Sequence, residues 1–221
     1  MKSLYEKDYQ RLCACHPPIF HKWFIQEFSE PSSWFAARLA FSRTTAVMSM
    51  VGHILGLGDR HGENLLLDQL TGELVHIDLN CLFWKGQLFT VPECVPFRLT
   101  PNMIDALGVT GYEGVFRGVC EITLSILRDN RETLMSILQP LLDDPLVEAT
   151  SERKKQEFVQ TMSAVNKLLK GQFGLLPLSV QGHVQMLLEE ATSPANLSKV
   201  VYHHSLQLTE YHLQMYFGWA S

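Results

Sequence analysis

The sequence is poor in the features that mark secreted, membrane-spanning or charge-driven proteins. Its 221 residues contain no run of like charges, and a formal net charge of -5 gives no general attraction to nucleic acid or anionic lipid. No apolar stretch approaches the length that crosses a bilayer, and the charged N-terminal residues include no apolar signal-peptide core. The sequence therefore predicts a protein that is neither integral to a membrane nor secreted through a signal peptide.

Cysteine is also sparse. The five cysteines are an odd number and lie far apart, and the closest pair is the C-x-C of Cys13 and Cys15. That pair lies beside His16 but lacks the second pair of ligands that zinc-binding modules carry at a fixed spacing. We therefore expect reduced thiols in a cytosolic or nuclear protein, and neither a disulfide framework nor a zinc site.

Apolar residues, in contrast, are abundant enough for a packed core, at 46% of the chain. The segment Trp34 to Leu55 is apolar at helical spacing, with Ser32 or Ser33 as a candidate N-cap and Gly56 as the end of the helix. This pattern predicts a long, largely buried helix that leads directly into a polar loop.

A β-hairpin is predicted after that loop. The apolar runs Leu65 to Leu67 and Leu74 to Leu79 flank a segment in which Asp68 and Gly72 favour a turn. The second strand is expected to end at Asp78.

The rest of the chain is predicted to be mainly helical. Residues 80–102 form an exception, because they contain three prolines and no clear period, which is typical of an extended loop. Apolar residues recur at helical spacing in VFRGVCEITLSIL, in RETLMSILQPLL, near Phe158 to Leu169, and in a last helix capped by Ser179. The predicted fold class is therefore α+β and mainly helical, with a helical C-terminal extension.

The loop LGLGDRHGENLLL, Leu55 to Leu67, carries the candidate chemistry. Within it Asp59 precedes Asn64 by five positions, and the hairpin brings Asp78 fourteen positions after Asn64. Protein kinases use the same order: an aspartate that acts as base, an asparagine that binds metal, and, after two strands, a second metal-binding aspartate. The match covers loop, hairpin and acid, so it predicts phosphoryl transfer on the C-terminal lobe of a protein-kinase-like fold.

Each residue type suits its candidate role. Asp59 can accept a hydrogen bond from a serine or threonine hydroxyl, and a base so positioned accelerates transfer by about 10² to 10⁴. Asn64 and Asp78 are the candidate ligands of Mg²⁺ and its ATP, since one neutral and one charged oxygen ligand, with phosphates and water, satisfy this ion. His61 is a further candidate catalytic residue, which either steadies charge on the phosphoryl group or assists deprotonation.

The order of residues in the loop is distinctive, because the histidine follows the aspartate. GLGDRHGEN, Gly56 to Asn64, meets every fixed position of the motif G-[LI]-G-D-R-H-x-x-N, and in this it resembles the phosphatidylinositol 3-kinase-related protein kinase family. HIDLN, His76 to Asn80, is similar to the start of that family's activation loop, although Leu79 stands where phenylalanine is usual. LPLSVQGHVQMLLEEAT and MYFGW resemble the FATC domain that closes these kinases. NCLFWKG, LMSILQPLLDDPLVE and MYFGW are most similar to the ATR-type checkpoint kinases, one branch of the family.

The resemblance implies a nuclear serine/threonine protein kinase in DNA-damage checkpoint signalling. Such a kinase uses ATP with Mg²⁺ or Mn²⁺ and prefers a serine or threonine that is followed by glutamine. The resemblance also implies an ATR-interacting-type partner protein, only indirect contact with DNA, and no membrane.

The same resemblance divides the chain into three parts. Residues 1–146 are expected to be the kinase C-lobe, with the catalytic loop at 56–64 and the activation loop at 78–102. Residues 147–174 are a linker and an amphipathic helix, and residues 175–221 are a FATC-like domain. Residues 200–214 interrupt that domain and are expected to be an insertion, such as a retained intron. No glycine-rich phosphate loop precedes the catalytic loop, so we expect a C-lobe that lacks its N-lobe and is inactive alone.

Two other functions stay open. Phosphoinositide lipid kinases share the D-R-H-x-x-N loop, but they need several basic residues after the metal aspartate, and only Lys85 and Arg98 are basic between residues 80 and 100. A non-catalytic scaffold is the other alternative for the chain taken alone.

Residues outside the catalytic loop also have competing interpretations. His76 is expected to be a neutral, hydrogen-bonded strand residue, and His53 to be structural. Trp219 and Tyr216 either pack on the lobe or form an exposed patch for a partner.

Overall fold

A long buried helix organises the structure around the predicted site. The computed structural model describes residues 4–85, 94–141, 152–173 and 176–205. The helices are α1 Leu4–Cys15, α2 Phe20–Glu27, α3 Pro31–Leu55, α4 Pro101–Leu107, α5 Val115–Asp129, α6 Arg131–Leu138, α7 Glu152–Leu169, α8 Val180–Thr192 and α9 Pro194–Ser205. Two antiparallel hairpins pair β1 Leu65–Leu67 with β2 Leu74–His76, and β3 Gln172–Phe173 with β4 Leu176–Pro177. The mainly helical α+β class predicted from the sequence is confirmed.

The observed boundaries of α3 agree with those predicted from the sequence at the C-terminal end only. The helix ends at Gly56, which adopts the left-handed conformation at φ 60, as predicted. It begins at Pro31, however, so the predicted cap at Ser32 or Ser33 is wrong. Proline suits the first helical position because its ring fixes φ there and its missing N–H has no helical partner to lose. The N-cap is therefore Glu30, whose side chain makes no capping hydrogen bond.

The core lies mainly between α3 and α5. Phe41 and Met50 of α3 are fully buried, as are Phe116 and Leu124 of α5, and each such side chain contributes roughly 1.5 to 3 kcal/mol through removal of apolar surface from water. Helix α8 packs on α5 and joins the same apolar cluster through Val184, Leu187, Leu188 and Ala191. One continuous core thus connects the long helix to the helix near the C-terminus.

The predicted cap of α8 is confirmed. The hydroxyl of Ser179 accepts a hydrogen bond of 3.0 Å from the backbone N–H of Gly182, which satisfies one of the first N–H groups of the helix.

The hairpin of β1 and β2 forms at the predicted place. Leu65 pairs with His76, and the side chain of Asp68 closes the turn by accepting hydrogen bonds from the N–H groups of Leu70 and Thr71. The second strand ends at His76 and not at Asp78 as predicted. Its regular pairing stops there because Asp78 adopts φ 53, in the left-handed region, which no extended strand accommodates.

Two segments expected to be irregular contain helix instead. The loop predicted for residues 80–102 is shorter than expected, because helix α4 already begins at Pro101. The hydroxyl of Thr100 caps this helix by accepting a hydrogen bond from the N–H of Met103. Helix α7 begins at Glu152, six residues before the apolar pattern at Phe158, since the intervening glutamate, arginine, lysines and glutamine all favour helix.

Several predictions lie outside the described residues. These are the activation-loop residues 86–93, the segment 142–151, and residues 206–221, which include most of the expected insertion, Tyr216 and Trp219. Helix α9 runs to Ser205, so the first residues of the expected insertion are helical. No helix within the described ranges is long and apolar enough to cross a membrane.

Candidate active site

The loop that follows α3 is held by the segment after Asp78. The carbonyl of Gly56 accepts a hydrogen bond of 2.8 Å from the N–H of Trp84, and Gly58 donates one of 2.8 Å to the carbonyl of Cys81. The Trp84 ring lies so close to Gly56 that a β-carbon there would meet an indole atom at 2.5 Å. The residues before Asp59 and those after Asp78 are therefore fixed against each other.

Asn64 connects the two predicted aspartates. Its side-chain nitrogen donates a hydrogen bond of 2.8 Å to the carbonyl of Asp59, and its own carbonyl accepts one of 3.0 Å from the N–H of Ile77, the residue before Asp78. Asn64 is only 6% exposed, so this side chain has little freedom to turn away. Because its nitrogen is engaged, its carboxamide oxygen is the atom left to meet a ligand.

Asp59 and His61 lie together at the surface of the loop. The Nε2 atom of His61 is 3.7 Å from Oδ1 of Asp59, and their side chains are 39% and 42% exposed. The Nδ1 atom of His61 accepts a hydrogen bond of 3.2 Å from the N–H of Glu63, which places the ring hydrogen of the neutral tautomer on Nε2, towards Asp59. The histidine is thus oriented by its own loop and is adjacent to the candidate base.

Asp78 is exposed at the end of the hairpin. One carboxylate oxygen accepts a hydrogen bond of 3.2 Å from the N–H of Asn80, which fixes the direction of the side chain. Both Asp59 and Asp78 have positive φ, at 59° and 53°, a conformation that non-glycine residues adopt mainly where the surroundings impose it.

Arg60 is the residue of this region that the sequence did not single out. It is 8% exposed, and its guanidinium donates to the carbonyls of Gly58, Ile77 and Asp78. Its place between the aspartate and the histidine of the motif was visible in the sequence. That it points inwards was not, because arginine is usually a surface residue.

His76 faces this buried arginine. Burial, and to a lesser degree the charge of Arg60, lowers the pKa of His76 to about 4. This result agrees with the neutral strand histidine predicted from the sequence. The predicted hydrogen bond is not made by Nδ1, which is buried and has no hydrogen-bond partner among the described residues.

The structure thus brings Asp59, His61, Asn64 and Asp78 into one connected region of loop and hairpin. One carboxamide oxygen and one carboxylate are a donor set that fits Mg²⁺, which usually takes one or two protein oxygens together with phosphates and water. Within the described part of the chain, no cluster of three or more histidine, cysteine, aspartate or glutamate side chains could hold a metal on its own. The catalytic and metal-binding roles of these residues stay predictions.

An apolar surface adjoins the candidate metal ligands. Leu66 and Val75 are cross-strand partners, and Ile77 follows Val75 on the same face of the hairpin. These side chains are 49%, 47% and 39% exposed, although each is large and apolar. We call Leu66, Val75 and Ile77 the hairpin patch.

Three features define the C-terminal lobe of a kinase-like fold. These are the long helix α3, the loop that carries Asp59 and Asn64, and the hairpin that is followed by Asp78. Solved structures support this class. The FAT and kinase domain of CtTel1 matches with a TM-score of 0.80 at 40% identity, over 88% of this chain and 14% of that one. The Tel1 kinase butterfly symmetric dimer matches with a TM-score of 0.75 at 41% identity, over 82% of this chain and 8% of that one.

The chain belongs to the phosphatidylinositol 3- and 4-kinase family, whose profile matches residues 1–151. A FATC domain profile matches residues 177–200. Both findings confirm the resemblance read from the sequence, while the domain boundaries drawn there stay predictions.

Similar full-length proteins are named as protein kinases. The serine/threonine-protein kinase ATR of Arabidopsis thaliana is 50% identical over 207 residues, which is 90% of this chain and 8% of that protein. Protein kinase rad3 of Schizosaccharomyces pombe is 46% identical over 93% of this chain and 8% of its own length. The chain therefore spans about a twelfth of the length of these relatives.

Proposed function

We propose that this chain forms the catalytic C-lobe of an ATR-type serine/threonine protein kinase, which transfers the γ-phosphate of ATP in DNA-damage checkpoint signalling. The observation that carries the proposal is the position of Asn64, whose side chain binds Asp59 while its backbone binds the residue before Asp78. This arrangement connects a candidate base to candidate metal ligands, as phosphoryl transfer requires. The family and the names of its similar members, ATR, rad3 and MEC1, support the same activity.

Each polar side chain then has a defined task. Asp59 orients the attacking hydroxyl and accepts its proton. Asn64 and Asp78 would hold Mg²⁺, which when bound neutralises charge on the phosphates of ATP. His61 lies next to Asp59, where it can hold the carboxylate in place or meet charge on the phosphoryl group.

The hairpin patch gives the nucleotide a second contact. Leu66, Val75 and Ile77 form a partly exposed apolar surface beside Asp78, and the base of a nucleotide is a flat apolar group attached to its phosphates. We assign this patch to the base of ATP, because apolar surface next to phosphate ligands is what a nucleoside triphosphate needs.

The substrate and setting belong to the proposal as well. We assign serine or threonine followed by glutamine as the phosphorylated site, an ATR-interacting-type protein as the partner, the nucleus as the location, and only indirect contact with DNA. The resemblance of NCLFWKG, LMSILQPLLDDPLVE and MYFGW to ATR-type kinases supports this assignment.

The test uses a hybrid kinase in which these 221 residues replace the aligned segment of Arabidopsis ATR, because the chain is 50% identical to that segment. The hybrid is incubated with Mg·ATP and a Ser-Gln peptide, a matched Ser-Ala peptide, or phosphatidylinositol vesicles. We expect transfer to the Ser-Gln peptide alone. The Asp59→Asn hybrid serves as the control, and its rate is expected to be lower by about 10² to 10⁴.

Other outcomes point elsewhere. Transfer to phosphatidylinositol in place of the peptide would establish the lipid kinase alternative. A hybrid that folds and binds ATP but transfers no phosphate to any acceptor supports the scaffold. Equal activity of the Asp59→Asn hybrid refutes the assignment of the base.

A further inference from the structure

Two aspartates in the site share an unusual backbone conformation. Asp59 and Asp78 have φ values of 59° and 53°, in the left-handed region, which aspartate adopts more often than most residues but still uncommonly. They lie on different segments, one before the hairpin and one after it. A contact that reaches both segments therefore adds to the hydrogen bonds of Asn64 in keeping the two carboxylates in place.

Arg60 makes that contact from the interior. Its Nε donates a hydrogen bond of 2.9 Å to the carbonyl of Gly58, and its Nη1 donates one of 2.7 Å to the carbonyl of Ile77. Its Nη2 donates to the carbonyl of Asp78. One planar group thus binds the residue before Asp59 and the two residues that follow the hairpin, Ile77 and Asp78.

We infer that Arg60 is a positioning residue for metal-dependent transfer, which holds Asp59 and Asp78 in register through their backbones. The inference rests on the proposed function of the site. Arg60 is not a catalytic residue, because it is 8% exposed and each of these hydrogen bonds ends on a backbone carbonyl.

The chemistry of arginine explains why this position needs it. A guanidinium presents five N–H donors in a fixed plane, so it can bind carbonyls that lie in different directions at the same time. A lysine ammonium at the same depth is a single centre on a flexible stem and cannot reach Gly58 and Asp78 together. Arg60→Lys therefore keeps the charge and removes the guanidinium's part of the connection between the two segments, while the hydrogen bonds of Asn64 and Gly58 remain.

The first experiment measures Arg60→Lys in the hybrid kinase with the Ser-Gln peptide. We expect kcat to fall and the Mg²⁺ concentration at half-maximal rate to rise, each by about 10- to 100-fold, as for other residues that orient metal ligands. The KM for the peptide should change by less than about twofold, because Arg60 lies behind the site and its change removes no contact with the peptide.

Arg38→Lys is the matched control. Arg38 also donates to backbone carbonyls, those of Ala106 at 3.3 Å and Leu107 at 2.6 Å, but it joins α3 to α4 away from the site. We expect this variant to lower the melting temperature without changing the Mg²⁺ requirement. An equal change of the Mg²⁺ requirement in both variants would mean that Arg60 acts only through general stability.

The second experiment needs no catalysis. Amide hydrogen exchange of the 221-residue chain reports on Gly58, which donates to Cys81, and on Ile77, which donates to Asn64. Arg60→Lys should speed the exchange of both amides by at least about tenfold, and Mn²⁺ binding in the presence of ATP, followed by electron paramagnetic resonance, should weaken by about 10- to 100-fold. Arg38→Lys should change neither measurement.

These measurements separate the inference from the proposed function. Unchanged exchange at Gly58 and Ile77 overturns the inference, and so does faster exchange with an unchanged Mn²⁺ affinity and Mg²⁺ requirement. If the hybrid transfers no phosphate to the Ser-Gln peptide, the proposed function fails, while the exchange and Mn²⁺ data on the chain still decide whether Arg60 positions the two aspartates.

Discussion

The side-chain amide of Asn64 donates a hydrogen bond of 2.8 Å to the backbone carbonyl of Asp59, five residues earlier. The asparagine that is the candidate metal ligand therefore also closes the loop that presents the candidate base. One residue type serves both purposes because a carboxamide has a donor and an acceptor at the same end of the side chain.

Replacement of Asn64 by aspartate separates these two roles. Asn64→Asp keeps the shape but turns the donor into an acceptor, so a carboxylate oxygen would face the carbonyl of Asp59 in a site that is 6% exposed. We expect the free energy of unfolding of the chain to fall by about 1 to 3 kcal/mol, measured by urea denaturation.

Asn130→Asp is the control for that change. The Asn130 side chain makes the same kind of bond, of 2.8 Å to the carbonyl of Ile126, but it is exposed. Its replacement should cost less than about 1 kcal/mol, since water can satisfy both groups. Similar losses in the two variants would show that burial of Asn64 does not matter.

The hairpin patch predicts an effect on ATP affinity. Leu66→Gln removes apolar surface from a side chain that is 49% exposed, so the fold should tolerate it. If the base of ATP covers this leucine, the KM for ATP of the hybrid kinase should rise by about fivefold, which corresponds to about 1 kcal/mol of lost apolar contact. Leu70→Gln, at the tip of the same hairpin and 89% exposed, should leave it unchanged. Equal values of the KM for ATP in the two variants argue against binding of the nucleotide base at the hairpin patch.

Replacement by alanine should change the stability of the chain in opposite directions at two glycines, Gly56 and Gly118. Gly56→Ala places a β-carbon at φ 60 and 2.5 Å from the Trp84 ring, so we expect a loss of about 1 to 3 kcal/mol of stability. Gly118→Ala lies within α5, where an added β-carbon meets nothing within 4 Å, and it should gain about 0.5 to 1 kcal/mol from helix propensity. Thermal and urea unfolding of the chain measure both. Loss of stability in Gly118→Ala, or none in Gly56→Ala, contradicts the described packing.

The stability of the chain should fall as the pH falls below neutral. Burial lowers the pKa of His53 to about 4, and burial together with the charges of His53 and Arg128 lowers that of His183 to about 3. The pKa of His76 is also lowered, to about 4. Histidine in the unfolded chain titrates near 6.5, so at intermediate pH the unfolded chain binds more protons than the folded chain. Stability is therefore fully present above about pH 6.5 and decreases towards pH 4, by up to about 1.4 kcal/mol per pH unit for each histidine.

Urea denaturation between pH 7.5 and 4.5 measures this dependence. His76→Gln removes one of the titrating groups, so the slope of the unfolding free energy against pH should become shallower. A stability that stays constant or rises over this range would contradict the burial of these histidines.

Much of the site could be predicted because its signal is local. Asp59 and Asn64 lie five positions apart in one loop, and a short hairpin returns the chain to Asp78, so their proximity needs no long-range contact. The end of α3 at Gly56 was predictable for the same reason, since a glycine after an apolar helix favours the left-handed cap.

The errors have local causes as well. The cap of α3 was placed at a serine because serine is a frequent cap, but Pro31 at the first helical position outweighs it. The start of α4 at Pro101 was missed because several prolines together predict a loop, although proline also opens helices. In both places a proline at the first helical position marks the start of the helix.

The sequence by itself determined the long helix α3, the hairpin after it, and the order of Asp59, Asn64 and Asp78 around that hairpin, because each depends on neighbours within a few positions. Only the tertiary structure decided that Arg60 points inwards to the carbonyls of Ile77 and Asp78, and that α8 shares one core with α3 and α5. Such choices depend on which distant groups become available to pack or accept hydrogen bonds once the chain is folded, and no local pattern records them.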